Sequence, residues 1–198
     1  MLPANRFTDA GLLAAAEYAQ THDENPEHSA QVARLSLLLF DATSELHGLG
    51  PDEQRLLVAA ALLHDVGWPI RPEAHHKGSR DLILKAPLTG FSEEERRMLA
   101  CLARYHRKAY PNARHKVYRD LSQSAREKVR MLAALLRIAD GLDRAHAATV
   151  KTLEVRRDGQ TLTIEVKQAP GCGIDLMGAE RKKGLFEAVF GVDVVIRS

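Results

Sequence analysis

Four stretches of this chain each set one histidine or aspartate on a side otherwise made of small and aliphatic residues. His28 shares a face with Val32, Leu35 and Leu39, and His64 lies over Leu57, Ala60 and Ala61. His106 lies over Leu99, Leu102 and Ala103, while Asp140 follows Leu136 by four positions and Ala133 by seven. Such spacings line one side of a helix, so all four groups are expected to face a core, with Asp65 beside His64. A polar group buried without a partner costs several kcal/mol, and a bare carboxylate costs more. Two arrangements meet that demand: a mutually hydrogen-bonded buried network, or a shared cation. Imidazole with carboxylate suits Mn, Fe, Zn or Mg, and the cation is the expectation.

The basic residues point to phosphate. His75-His76-Lys77 falls in a polar loop just after the His64-Asp65 pair. Arg104, Arg107, Lys108, Arg114, Lys116 and Arg119 crowd around His106 and His115. Most charge runs are solvated faces, but this one begins at a candidate ligand. A metal flanked by Arg and Lys suits a phosphoryl group, with the ion polarising phosphorus and the cations holding the non-bridging oxygens. Lys77, Arg104, Arg107 and Lys108 are the candidate phosphate contacts, and Arg137 is placed to reach Asp140 or substrate.

The elements that must position these groups read as helices through about residue 148. Thr8 caps a first helix to about Gln20. Asn25-Pro26-Glu27 starts a second that fades near His47-Gly48, since proline suits a first helical turn. A third spans about Asp52 to Asp65 and stops at Gly67 and Pro69. Ser79 caps a short fourth. Ser92 with Glu95 forms a capping box for a fifth, reaching about His106, and Ser124 with Glu127 forms another for a sixth, to about Arg144. Residues 149–198 then change character. Two alternating runs flank Asp158-Gly159, a hairpin signal. A short strand near Ile174-Asp175-Leu176, a helix over about Glu180–Phe190 and a strand from Val192 to Arg197 follow. The expected organisation is a helical domain over 1–148 and a small α+β unit over 149–198.

The bulk numbers fit a globular protein. The 198 residues are 45% hydrophobic and 27% charged, with a net charge of +2, which gives no global reason to expect nucleic-acid or membrane binding. Two cysteines, Cys101 and Cys172, make no disulfide framework and suit a reducing, cytoplasmic setting. No apolar run approaches a membrane span or a signal peptide. Trp68 and Tyr105 read as packing residues beside the site. Asp143 and Arg144 read as an ion pair near it or as charge at a helix end. His22, His47, His115 and His146 read as surface or loop residues.

A histidine, a distant His-Asp pair and a still more distant aspartate, in the order His28, His64-Asp65, Asp140, resemble the HD superfamily. The segments Ala59 to Gly67, His75 to Ser79, Gly90 to Ser92, Ala103 to Lys108, Leu136 to His146 and Lys183 to Gly191 are similar to the C-terminal region of the exopolyphosphatase/guanosine pentaphosphate phosphohydrolase family, over about residues 26–197. The resemblance implies a mainly α fold, an HD-domain helical bundle with a small C-terminal α+β unit. It also implies a metal-dependent phosphohydrolase holding one or two divalent ions, with metal-activated water as nucleophile. His28, His64, Asp65 and Asp140 would be the ligands, and Asp65 would also orient the water. His75 or its neighbour His76, together with His106, would serve a second ion, with His106 alternatively a phosphate donor. The partner would be a phosphorylated small molecule or polyphosphate, and a homodimer is compatible. Two features depart from that family. Its actin-like module, which carries polyphosphate hydrolysis, has no counterpart in these residues, and Gly78 stands where the family often has histidine. The alternative is a polyphosphate- or nucleotide-binding regulatory module with a structural metal.

Overall fold

The computed structural model describes residues 9–169 and 176–198. Thr8, Cys172 and Ile174-Asp175 lie outside the described residues, so the first cap, the second thiol and most of the short predicted strand are not addressed. Leu176 is a turn residue.

The five longest helices begin where a side chain or a proline meets the need of the first orphan amides. Asp9 accepts from Leu12 N at 2.8 Å to start α1 (Ala10–His22). Asn25 accepts from His28 N at 3.2 Å and Pro26 opens α2 (Pro26–Ala42). The chain breaks at Thr43, whose hydroxyl donates back to Leu39 O at 2.7 Å, and resumes as the single turn α3 (Ser44–His47). α4 (Pro51–Leu63) starts at proline, with Glu53 accepting from Gly50 N. α5 (His75–Ile83) begins four residues earlier than Ser79, which is buried mid-helix and accepts from Gly67 N at 2.9 Å instead of capping. α6 (Glu93–Tyr105) carries the expected Ser92/Glu95 box. After a further turn, α7 (Lys116–Arg119), α8 (Gln123–Leu142) is capped by Ser122, not Ser124, through Ala125 N at 3.2 Å.

Helices α2, α4, α6 and α8 close a ring, each packed on the next and α8 on α2. Their shared interior is leucine and alanine, from Leu35 and Leu39 through Leu57, Leu63, Leu99 and Leu102 to Leu132 and Leu136. Helix α1 covers α4, and α5 covers α6. His47, expected at the surface, is buried with Nε2 donating to Phe40 O at 2.9 Å.

The C-terminal unit is a three-stranded sheet with two short helices. β1 (Val150–Asp158) and β2 (Thr161–Gln168) pair antiparallel around Gly159-Gln160, with Gly159 at φ +57°. β3 (Asp193–Arg197) pairs parallel with β2. Between them lie α9 (Met177–Lys182) and α10 (Gly184–Phe190), two helices where one was expected. Alternation buries Leu162, Ile164, Val166, Val194 and Ile196 on one face. The sheet docks on α2, where Gln31 and Arg34 donate to Val150 O and Lys151 O. The fold is thus mainly α with a small α+β unit, as expected. No helix among the described residues is long and apolar enough to cross a membrane.

Helix α9 meets the end of α8 through bare glycines. A Cβ on Gly141 would lie 2.6 Å from Ala179 Cα, and one on Gly178 would lie 2.4 Å from Gly141 O. Gly141→Ala is therefore expected to push α9 away from α8 at a cost of about 1–3 kcal/mol. A lowered Tm and faster amide exchange in α9 would record it. An unchanged Tm and exchange pattern would show that the glycine contact is not required.

Candidate metal centre

The predicted ligands gather at one end of the helical ring. His64 and His106 are the C-cap residues of α4 and α6, and Asp140 sits in the last turn of α8. Three helix C-termini, each the negative end of a helix dipole, thus converge there. His28 comes from the first turn of α2, positioned by the Asn25 cap on its own amide. His75 opens α5, and Asp65 follows His64 directly. Gly67 makes that turn possible, because a Cβ there would lie 2.1 Å from Ser79 N of α5.

Hydrogen bonds fix how each ring faces the centre. The Nδ1–H of His64 donates to Ala61 O at 2.7 Å, and that of His106 to Ala103 O at 2.8 Å. Both occupy carbonyls that the last helical turn would leave unpaired. His75 Nδ1–H donates to Pro72 O at 3.0 Å, and His28 Nδ1–H to Asp143 Oδ2 at 2.9 Å. A carbonyl or carboxylate can only accept, so Nδ1 carries a proton in all four rings. Nε2 of His64, His75 and His106 then presents its lone pair, while His28 near neutral pH turns an Nε2–H toward Asp140, a proton that a bound cation would displace.

Those lone pairs point at carboxylates and at one another. Asp65 Oδ1 lies 3.3 Å from His75 Nε2 and 3.6 Å from His106 Nε2, and Asp65 Oδ2 lies 3.6 Å from His64 Nε2. His28 Nε2 is 3.6 Å from Asp140 Oδ1, and the Nε2 atoms of His75 and His106 are 3.3 Å apart. The buried atoms His28 Nε2, His64 Nε2 and Asp65 Oδ1 have no hydrogen-bond partner among the described residues. Two ligand groups emerge, His28–His64–Asp65 and Asp65–His75–His106, with Asp65 common to both. Asp140 joins through His28 and gives its other oxygen to Lys182 of α9. The donor set and its unpaired atoms fit a divalent cation.

The electrostatics follow from burial and neighbours. Burial alone would raise Asp140 and Asp65, but Lys182 and the histidines hold Asp140 well below the usual carboxylate range, and the histidines lower Asp65. Burial pushes His106 and His75 down. Burial also opposes the charged form of His28, yet Asp140 and Asp143 outweigh it and lift the ring to about 9. His76 is pressed down to about 3 by burial and by Arg104 and Arg107. It falls outside both ligand groups, with its ring centroid 6.1 Å from that of His75 and 6.5 Å from that of His106.

A cavity of about 460 Å³ opens onto these residues, lined by Asp65, His75, His106 and Asp140 together with Arg107, Arg144, Arg181 and Lys182. Of the five residues expected to contact phosphate, only Arg107 lines it. Lys77 is exposed and does not line it. Lys108 and Arg137 line a neighbouring basic groove, and Arg137 also donates to Tyr105 O at 2.9 Å. Arg104 lines a different cavity. Clustering in sequence had grouped residues that helix geometry separates.

Sequence reasoning missed Lys182 and Arg181, which reach the cavity from α9 with no local signal beyond a basic pair. It also missed His146, which stacks on His28 with centroids 3.8 Å apart. Trp68, expected to be packed, is 41% exposed at the cavity wall. Asp143 proves to be the partner that orients His28, and its other oxygen accepts from Ala148 N at 2.8 Å.

Over residues 13–172 the sequence matches the family model described as Ppx/GppA phosphatase, domain III. It is similar to a guanosine-5'-triphosphate,3'-diphosphate pyrophosphatase of Pseudoalteromonas atlantica, with 27% identity over 140 residues that make up 70% of this chain and 27% of that protein. A protein of the same name from Pseudoalteromonas translucida is 30% identical over 81 residues, 39% of this chain and 16% of the relative. The chain therefore spans about a quarter or less of the length of these relatives.

Carboxylates that orient ligating histidines typically account for about 10–100-fold in metal affinity. Asp143→Asn, which can still accept from Ala148 N, is expected to weaken Mn binding by about tenfold in a chelator competition. Unchanged affinity would remove Asp143 from that role.

Proposed function

The chain belongs to the Ppx/GppA phosphatase family, corresponding to its domain III, and from that premise we propose that it is a metal-dependent phosphohydrolase of the HD type. The observation that carries the reading is the buried Nε2 of His64, 3.6 Å from Asp65 Oδ2 and, like Asp65 Oδ1, without a hydrogen-bond partner among the described residues. His28, His64, Asp65 and Asp140 would hold one ion, and Asp65 with His75 and His106 would hold a second. Paired divalent ions suit phosphoryl chemistry because together they stabilise the attacking and the leaving oxygen. The relatives' names describe pyrophosphatases of a phosphorylated nucleotide, which supports a nucleotide, alarmone or polyphosphate-like phosphoanhydride or ester as substrate.

Bound divalent cations supply Lewis acidity at phosphorus and make water nucleophilic near neutral pH. The chain's own residues do the rest. Asp65 orients the attacking water from a half-buried position on one wall of the cavity. Arg107, just after α6, and Lys182, at the end of α9, hold the non-bridging oxygens and offset charge as the leaving group departs. His106, its Nδ1–H committed to Ala103 O, keeps Nε2 directed at the same point. We take residues 1–148 and 149–198 as two units, the second completing the site through Lys182. A cytoplasmic location belongs to the same reading, supported by the buried free thiol of Cys101.

A second reading, a phosphate-binding regulatory module with a structural metal, is favoured by one observation. Lys182 already neutralises Asp140, as a domain kept for binding could do.

Elemental analysis paired with a metal-supplemented phosphate-release screen, on wild type and Asp65→Ala, separates the two. About one or two metal equivalents and turnover that the substitution abolishes are expected. Bound metal without release from any nucleotide, polyphosphate or phosphomonoester would favour the binding module. Metal-free, inactive protein would contradict the hydrolase reading.

A further inference from the structure

Arg104 sits on α6 two positions before His106. Two residues turn a helix by about 200°, so the two side chains leave it on nearly opposite sides. His106 faces the metal-centre cavity, whereas Arg104 lines a separate cavity of about 400 Å³ between α5, α6 and α7. The two cavities have no lining residue in common.

Arg104 is only 9% exposed, and its Nε has no hydrogen-bond partner. It forms no ion pair with any described residue. The one carboxylate on the cavity wall, Asp81, is taken by Arg80, which donates to it from Nε at 2.7 Å and from Nη2 at 2.5 Å. Arg80, Arg114 and Lys116 line the same cavity. The largely exposed Lys116 pairs with Asp120 at 3.2 Å, which leaves Arg104 and Arg114 as the lining cations that form no ion pair among the described residues. His115 shares the wall, its Nδ1 hydrogen-bonded to the Tyr105 hydroxyl at 2.8 Å. Burial, and after it Arg104 and Arg80, holds the His115 imidazole in its neutral form more strongly than usual.

A guanidinium withdrawn from water ordinarily has a carboxylate partner, because an unpaired buried charge is costly. Here the complement missing from the fold is a tetrahedral oxyanion, which a guanidinium fork matches with two parallel hydrogen bonds. We infer that this cavity is a second, metal-independent phosphate-binding site, built on Arg104 and supported by Arg80, Arg114 and Lys116. The phosphate is either free or the terminal group of an ester. This inference stands apart from the hydrolase reading, since none of its residues belongs to the metal centre.

The test is a calorimetric titration of inorganic phosphate into the full chain after treatment with a chelator. Wild type is expected to bind, Arg104→Met to bind at least about tenfold more weakly, and Arg107→Ala, which alters the metal-centre cavity, to bind like wild type. Circular dichroism checks each fold. Should Arg104→Met fail to fold, the exposed Arg114→Ala is expected to weaken binding several-fold. A nucleoside monophosphate run in parallel identifies the source, because the tighter of the two ligands is the one the site serves. The inference is overturned if wild type shows no phosphate binding at millimolar concentration. It is equally overturned if Arg104→Met, or Arg114→Ala in its place, binds as wild type does, or if Arg107→Ala alone abolishes the signal.

Discussion

Imidazole nitrogens from four helices and two carboxylates meet at one end of the helical ring, and for three of the rings the backbone itself fixes which nitrogen faces inward. His64 and His106 are pinned by carbonyls of their own last helical turns, and His75 by Pro72 O. None can rotate its proton inward without leaving a buried carbonyl unpaired. His64 Nε2 therefore faces Asp65 Oδ2 at 3.6 Å, and His75 Nε2 lies 3.3 Å from His106 Nε2 with Arg107 Nη1 beside it at 3.1 Å. A buried acceptor facing a carboxylate is costly without positive charge between the two. The convergence of three helix C-termini favours a cation at the same place.

The rest of the fold reads as support for that point. Leucine and alanine along α2, α4, α6 and α8 bring the helix ends together, and Gly67 lets the turn after Asp65 lie against α5 so that His75 arrives opposite His106. Gly141 and Gly178 allow α9 to touch α8 closely enough for Lys182 to reach Asp140. The C-terminal unit is thus part of the site's wall as well as a cover for α2 and α8.

Much of this was legible in the sequence for a simple reason. An ionisable residue on an apolar helical face announces itself through periodicity, and His28, His64, His106 and Asp140 all did so. The Ser92/Glu95 cap and the hairpin around Gly159 were equally readable, being local. What escaped was either non-local or matched by a competing pattern. Lys182 meets Asp140 across 42 positions of sequence, with no spacing to reveal it. Ser124 with Glu127 mimics a capping box, but Ser122 starts α8 two residues earlier in the chain, and Ser79 faces Gly67 rather than a helix start. Arg104 is the instructive case. Its neighbours in sequence suggested the metal centre, while its helical phase put it on the far side of α6.

The most direct measurement is anomalous diffraction from crystals soaked in manganese. The account predicts a peak within coordination distance, about 2.0–2.3 Å, of Asp65 and His64, and a second beside His75 and His106 at full loading. Difference density for an ion elsewhere, with Asp65 and the four histidines unaltered and no peak among them, would contradict it.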